Sequence, residues 1–381
     1  MIYMDIESVR KEFPIKQKMI YFNNASIGPM SNQVISSITN FLNDVRDYGR
    51  LHYPEWCHYA DTIIKGNIAK FIGADRSEIA FVKNTTEGIL IVSNGLDWKP
   101  NDNVIIADIE YPSNVYCWMN LERKGVSIKW VRNRAGRILI EDIEELIDKN
   151  TRLISLSAVQ FSNGYRIDLE RLSHLCRKKK ILLNLDAIQY LGALHIDLSK
   201  YHIDFLSAGG HKWLLGPIGT GIFYCNGDSM NTIHPHNVGY HSVDKPEDHL
   251  DYDLTFRPNA GRFEEALVNF PGIWGLHEAI KMFLELGTEN VEKYIFNLVS
   301  HAIDGLKAKG YEIISPQGEK ERSGILSFRH STISSQEIYD NLVKNEINVA
   351  IRAGNLRMSP SIYNDHEEIE RFLRILPRGT C

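Results

Sequence analysis

Long apolar runs are missing from this chain: none approaches the roughly 18–20 residues a helix needs to cross a bilayer. Cysteine is scarce. The five residues Cys57, Cys117, Cys176, Cys225 and Cys381 are odd in number, scattered, and nowhere spaced Cys-x-x-Cys. That excludes a disulfide framework and a cysteine zinc site, and it predicts a reduced, cytoplasmic protein. Excess positive charge is missing too. A formal net charge of −5 argues against a nucleic-acid groove or a polybasic membrane anchor. The one dense basic run, Arg177 to Lys180, closes a helical pattern carried by Leu169, Leu172 and Leu175, where cations complement the helix dipole. The N-terminal stretch MIYMDIESVRKEF carries acids and lacks the apolar stretch of a signal peptide. No internal repeat or low-complexity linker is visible.

What is present is a globular composition, 43% apolar and 24% charged, over 381 residues, more than one hydrophobic core normally fills. Two domains are expected, a large one over 17–275 and a small one over 276–381 that takes in 1–16. Within the first, seven β-rich runs (78–82, 103–107, 127–131, 152–156, 181–185, 204–207 and 221–224) alternate with helical stretches at 87–95, 114–124, 139–148, 168–179 and 188–192. Several runs are apolar at consecutive positions, as in strands buried on both faces. The fold class is therefore α/β, a mainly parallel seven-stranded sheet flanked by helices. Beyond residue 275 a long helical region (274–309), short strands at 311–315 and 323–328, a helix at 335–344, a strand at 347–351 and a final helix at 365–373 predict a small α+β domain.

Sheets of this kind bind ligands beyond the carboxyl ends of their strands. Four features fall there. Asn84-Thr-Thr-Glu-Gly88 opens a helix, and the hydroxyls of Thr85 and Thr86 with free N–H groups suit a phosphate, or simply cap the helix. In Glu110-Tyr-Pro-Ser-Asn114, Tyr111 offers a ring face to a planar ligand, or covers the core. Asp186 ends an apolar strand with Gln189 one turn on; its carboxylate suits a protonated ring nitrogen, or a helix N-cap. Fourth, Gly209-Gly-His-Lys-Trp-Leu-Leu215 sets Lys212 between a strand and a glycine-rich turn. There it is either a desolvated nucleophile or an ordinary solvated lysine. Together these are the parts a pyridoxal phosphate (PLP) site requires. His234, His236 and His241 lack the carboxylate or cysteine pattern of a metal site, and no metal is expected. Gly216-x-x-Gly-x-Gly221 precedes a strand and opens no helix, against the mechanics of a dinucleotide loop. Trp56, His58 and Tyr59 line a pocket or pack a helix.

With these motifs the chain resembles, from Tyr21-Phe-Asn-Asn-Ala-Ser26 to Arg357-Met-Ser-Pro-Ser-Ile-Tyr-Asn364, the class V aminotransferases, fold-type-I PLP enzymes that include the cysteine desulfurases. The resemblance implies that Lys212 carries PLP as an aldimine. Asp186 would pair with the ring nitrogen, Gln189 would bond the phenolic oxygen, and Tyr111 would stack on the ring. Thr85, Thr86 and His211 would hold the phosphate, Asn163 would face the substrate, and Arg357, with Arg352, would clamp its carboxylate. It further implies a small α-amino-acid substrate and a homodimer with sites at the interface. The departures are a missing cysteine loop, since only Ala-Gly-Asn-Leu separates Arg352 from Arg357, Leu267 where relatives carry a hydroxyl, and Gly209 where they often have Ser, Thr or Asp. These imply a transaminase or a C–S/β-elimination lyase rather than a persulfide-forming desulfurase. The alternatives are an epimerase of the isopenicillin N epimerase type or a catalytically weak PLP-binding accessory protein.

Overall fold

The computed structural model describes residues 5–377. Met1 to Met4 and the C-terminal end with Cys381, both within the expected small domain, lie outside the described residues. All seven expected strands form one sheet. Its order is Ile79–Val82, Gly221–Cys225, Phe205–Gly209, Leu182–Asp186, Thr151–Ser157, Asn103–Ala107, Ser127–Val131. Neighbours are parallel except at Gly221–Cys225, which runs antiparallel to both its partners. The strands Asn103–Ala107, Phe205–Gly209 and Gly221–Cys225 are buried at every position, which explains why their sequences are apolar without alternation. Helices Thr85–Gly95, Ser113–Met119, Ile140–Leu146 and Leu169–Lys179 connect the strands. The last ends in Arg177, Lys178 and Lys179, as the dipole argument requires.

One expected helix is corrected. Residues 188–192 form turns, because Asp186 Oδ1 accepts the Ile188 N–H and Gly192 takes φ +91°. The helical region expected over 274–309 is present as two helices, Phe270–Leu286 and Thr288–Ala308, separated at Gly287 with φ +79°. Residue 275, the expected domain boundary, therefore falls inside a helix.

A second sheet of Ala350–Arg352, Asn355–Met358, Leu326–Arg329 and Glu312–Ile313 is antiparallel and sits with helices Ser335–Lys344 and His366–Ile375. The N-terminal segment joins this part of the chain. Ile20–Tyr21 pairs in parallel with Ile347–Asn348, Lys16 bridges Asp365 at 2.9 Å and Glu368 at 2.8 Å, and Arg10 also pairs with Asp365.

Candidate active site

The parallel strands present their carboxyl ends on one side, and there a cavity of about 420 Å³ opens. Its lining contains Thr85, Thr86, Tyr111, Asp186, Gln189, His211, Lys212, Arg352 and Arg357, so nine of the ten expected residues meet in one place. Asn163 is not among them. Its Nδ2 donates to the Gly136 carbonyl at 2.8 Å and its Oδ1 accepts the Tyr165 N–H at 3.0 Å, so both ends of the amide hold a turn. The expectation that Asn163 faces a substrate is withdrawn on this geometry.

Lys212 follows strand Phe205–Gly209 and is only 9% exposed. The turn is held by Gly210 N–H on the Thr220 carbonyl and Gly28 N–H on the His211 carbonyl, with Leu215 in the left-handed region at φ +56°. Among the described residues the Lys212 ammonium has no ion pair; it lies 5.4 Å from the centroid of the Tyr111 ring. Burial pulls it down to about 8; Asp186 opposes this, and Arg357 and Arg352 add to it. Asp186, at the carboxyl end of Leu182–Asp186, is pushed up to about 7, first by burial, against the N–H of Ile188 and with the help of Glu110. An amine and a carboxyl that both titrate near neutrality in one cavity mark a site of proton chemistry.

Gln189 has a defined orientation. The Trp213 indole can only donate, and it reaches Gln189 Oε1 at 2.8 Å, so Nε2 is the donor, spending one hydrogen on the Ala25 carbonyl at 2.9 Å. Thr85 begins the eleven-residue helix Thr85–Gly95, whose N-cap Asn84 accepts the Glu87 N–H on its side chain and the Gly88 N–H on its carbonyl, leaving the Thr85 and Thr86 N–H groups for an anion. Thr85 Oγ1 accepts the Gly209 N–H at 2.9 Å, and a Cβ on Gly209 would stand 3.1 Å from the His211 ring. A side chain there would press on both Thr85 and His211. Burial lowers His211, with Lys212 adding to the effect, which favours the neutral ring.

At the opposite mouth, Arg352 and Arg357 come from the hairpin Ala350–Arg352 and Asn355–Met358, whose turn is only Ala353-Gly354, both at positive φ. Arg357 is 1% exposed, donates to the Phe161 carbonyl at 2.6 Å and Ser26 Oγ at 2.8 Å, and leaves Nε buried without a partner. Burial and Arg352 pull it down to about 9, so it remains a cation at neutral pH. Neither arginine has a carboxylate partner among the described residues. Ser26 and Phe161 escaped the sequence reading. Ser26 lies 326 residues from Arg352 along the chain, and Phe161 meets Tyr111 edge-on at 5.2 Å. Only the Ser26 that closes Asn23-Asn-Ala-Ser26 carried a signal, as part of the family stretch.

The cavity suits PLP: an unpaired buried amine, an acid at a strand end, a helix N-terminus with two hydroxyls and an aromatic face surround it on separate sides. No helix among the described residues is long and apolar enough to cross a membrane, and none of their His, Cys, Asp and Glu groups could hold a metal. In a larger cavity of about 620 Å³, lined by Lys83, Glu87, Asn94 and His236 among others, the amine of Lys83 is exposed and already ion-paired with Glu87 and Glu265. Fold and site define a fold-type-I PLP-dependent enzyme. The model of the aminotransferase class-V family matches residues 20–375, and the chain belongs to that family.

Among its relatives are a probable cysteine desulfurase of Methanothermobacter thermautotrophicus, 29% identical over 97% of each chain, and an uncharacterized aminotransferase of Schizosaccharomyces pombe, 26% identical over 98% of this chain and 96% of the other. Among solved structures, the apo cysteine desulfurase of Thermococcus onnurineus superposes with a TM-score of 0.89 at 25% identity over 98% of each chain. The cystine C–S lyase C-DES, in complex with cysteine persulfide, matches in fold with a TM-score of 0.88 at 23% identity, over 97% of this chain and 100% of the other.

Proposed function

We propose that the enzyme acts on a small α-amino acid as a transaminase or a C–S/β-elimination lyase, with Lys212 as the residue that binds PLP covalently and moves the Cα proton. The observation that carries this reading is the composition of one cavity: a buried amine, an acid and two carboxylate-free arginines, with no cysteine in the lining. A two-residue turn joins Arg352 to Asn355, so this hairpin holds no loop to carry a thiol to the site.

PLP, when bound, supplies an aldehyde that captures amines and a ring that draws electron density from Cα. The chain does the rest. Asp186 holds a proton at the ring-nitrogen end. Gln189 Nε2 donates its free hydrogen toward the phenolic side, and Tyr111 covers one face. Thr85, Thr86 and His211, at the helix N-terminus, hold the phosphate. Arg357, fixed by Phe161 and Ser26, presents its fork to the substrate carboxylate, with Arg352 beside it. Lys212 Nζ, poised near neutrality, takes and returns the Cα proton.

The site is proposed to be completed by a second copy of the chain, since Leu267 is 59% exposed, as are Leu250, Tyr252 and Leu254 to a greater degree. Incubating the PLP-loaded enzyme with a panel of amino acids and assaying keto acid, ammonia and sulfide tests the reaction class. Keto acid without ammonia defines a transaminase, and ammonia with sulfide a C–S lyase. Racemised substrate with neither product would refute both.

A further inference from the structure

A second carboxyl lies behind Asp186, and the chemistry described so far leaves it unused. Glu110 precedes Tyr111 and is buried. Its oxygens receive the Ser157 N–H at 2.8 Å, the Ser157 hydroxyl, Gln160 Nε2 at 2.8 Å and Asn114 Nδ2 at 3.0 Å. The orientation of Asn114 is fixed, because its Oδ1 accepts the Trp118 indole, a donor only, at 3.0 Å. The same Oδ1 accepts the Ser155 hydroxyl at 2.6 Å, and Asn184 Nδ2 reaches Ser155 Oγ at 2.9 Å. Four donors on the two oxygens work to hold the charged form of this acid. No cation pairs with it among the described residues. Burial is the larger influence and holds Glu110 above the usual carboxylate range, with these donors working against it.

Glu110 is wired to Asp186 through the sheet. Ser157, which gives it two hydrogen bonds, is the register partner of Asp186, and Ala158 N–H donates to the Asp186 carbonyl. We propose that Glu110 is a positioning residue, a fixed negative charge behind Asp186 that keeps a proton at that end of the cavity and so favours the protonated ring nitrogen of PLP. The inference rests on the reading that Asp186 meets that nitrogen. The groups facing Asp186 are Glu110 from the loop before helix Ser113–Met119, Cys117 from that helix and Lys212 from the turn after Phe205–Gly209. Burial holds the Cys117 thiol up at about 12 and therefore neutral. Arg352, Arg357 and His211 face Lys212 instead. Glu110 is thus the one carboxyl among these described neighbours of Asp186.

The test loads wild type, Glu110→Gln, Glu110→Asp, Ser157→Ala and Asp186→Asn with PLP labelled with ¹⁵N in the ring, and follows the nitrogen shift by NMR against pH. Removing a buried negative charge should lower the ring nitrogen's midpoint in Glu110→Gln by about one pH unit, a tenfold loss of proton affinity. Ser157→Ala, one donor fewer on an intact carboxylate, should move it the same way by less, and Glu110→Asp should stay near wild type. If Glu110→Gln does not fold, Ser157→Ala and Glu110→Asp decide. Unchanged midpoints in Glu110→Gln and Ser157→Ala, with Asp186→Asn shifted, overturn the role of Glu110. An unchanged midpoint in Asp186→Asn overturns the Asp186 reading itself.

Discussion

Lys212 shows how burial turns an ordinary residue into a reagent. Its ammonium is desolvated, opposed by Asp186 and repelled by two arginines, and the balance leaves it about 8. The sign follows directly: a folded value below the ordinary lysine value means the neutral amine appears at lower pH than in the unfolded chain. Covalent capture of PLP by the apo-protein should therefore accelerate through pH about 8. A stopped-flow pH series reads this, and a rise seen only near the ordinary lysine value would contradict it. Arg357→Gln should weaken the binding of carboxylate substrates by about tenfold or more, since charge-assisted bonds contribute roughly 1.5–3 kcal/mol. Titrating amino acids against their decarboxylated amines checks it: the amines should bind both forms alike.

Most of these residues were legible in the sequence because each follows a strand end inside a recognisable stretch. Ser26, Phe161 and Glu110 were not. Their value comes from contacts that chain distance hides, as when Ser26 serves both arginines from the far end of the sequence. Asn163 was misread for the opposite reason: a Ser-Asn-Gly signal fits a turn as well as a site, and here the asparagine holds the turn.

At the scale of elements, the strands were readable because burial on both faces writes itself as continuous apolar runs. The error came where a short side-chain bond overrode periodicity, at Asp186–Ile188, while the helical region after 274 was read without the break that Gly287 makes in it. With helix Phe270–Leu286 running through residue 275, the division between domains is better set at Gly287, which we hold as a proposal.

The π-helical turn Ala60–Ile64 delivers Lys65, buried, to Glu264 at 3.0 Å and Asp61 at 2.9 Å. Glu264 also accepts the Phe81 N–H at 2.8 Å, tying the 260–268 loop to the sheet edge. Lys65→Met leaves Glu264 buried without its cation and should cost about 3–5 kcal/mol in denaturant unfolding. A loss below about 1 kcal/mol would show that the pair is not what holds this loop.

At the scale of the molecule, the sheet gathers a helix N-terminus with two threonines, a buried acid and a buried amine from strands far apart in sequence, and the antiparallel hairpin brings the arginines to the same cavity. The exposed apolar residues Leu250, Tyr252 and Leu254 lie on one segment and fit burial against a second copy. Sedimentation at micromolar concentration should give a dimer, and a monomer would refute the shared site.

The central claim is that Lys212 binds the cofactor covalently in this cavity. Borohydride reduction of the PLP-loaded enzyme, followed by peptide mass mapping, tests it most directly. The account predicts a pyridoxyl-phosphate mass on the peptide containing Lys212 and none in Lys212→Ala. Label on another lysine, or equal label in Lys212→Ala, would contradict it.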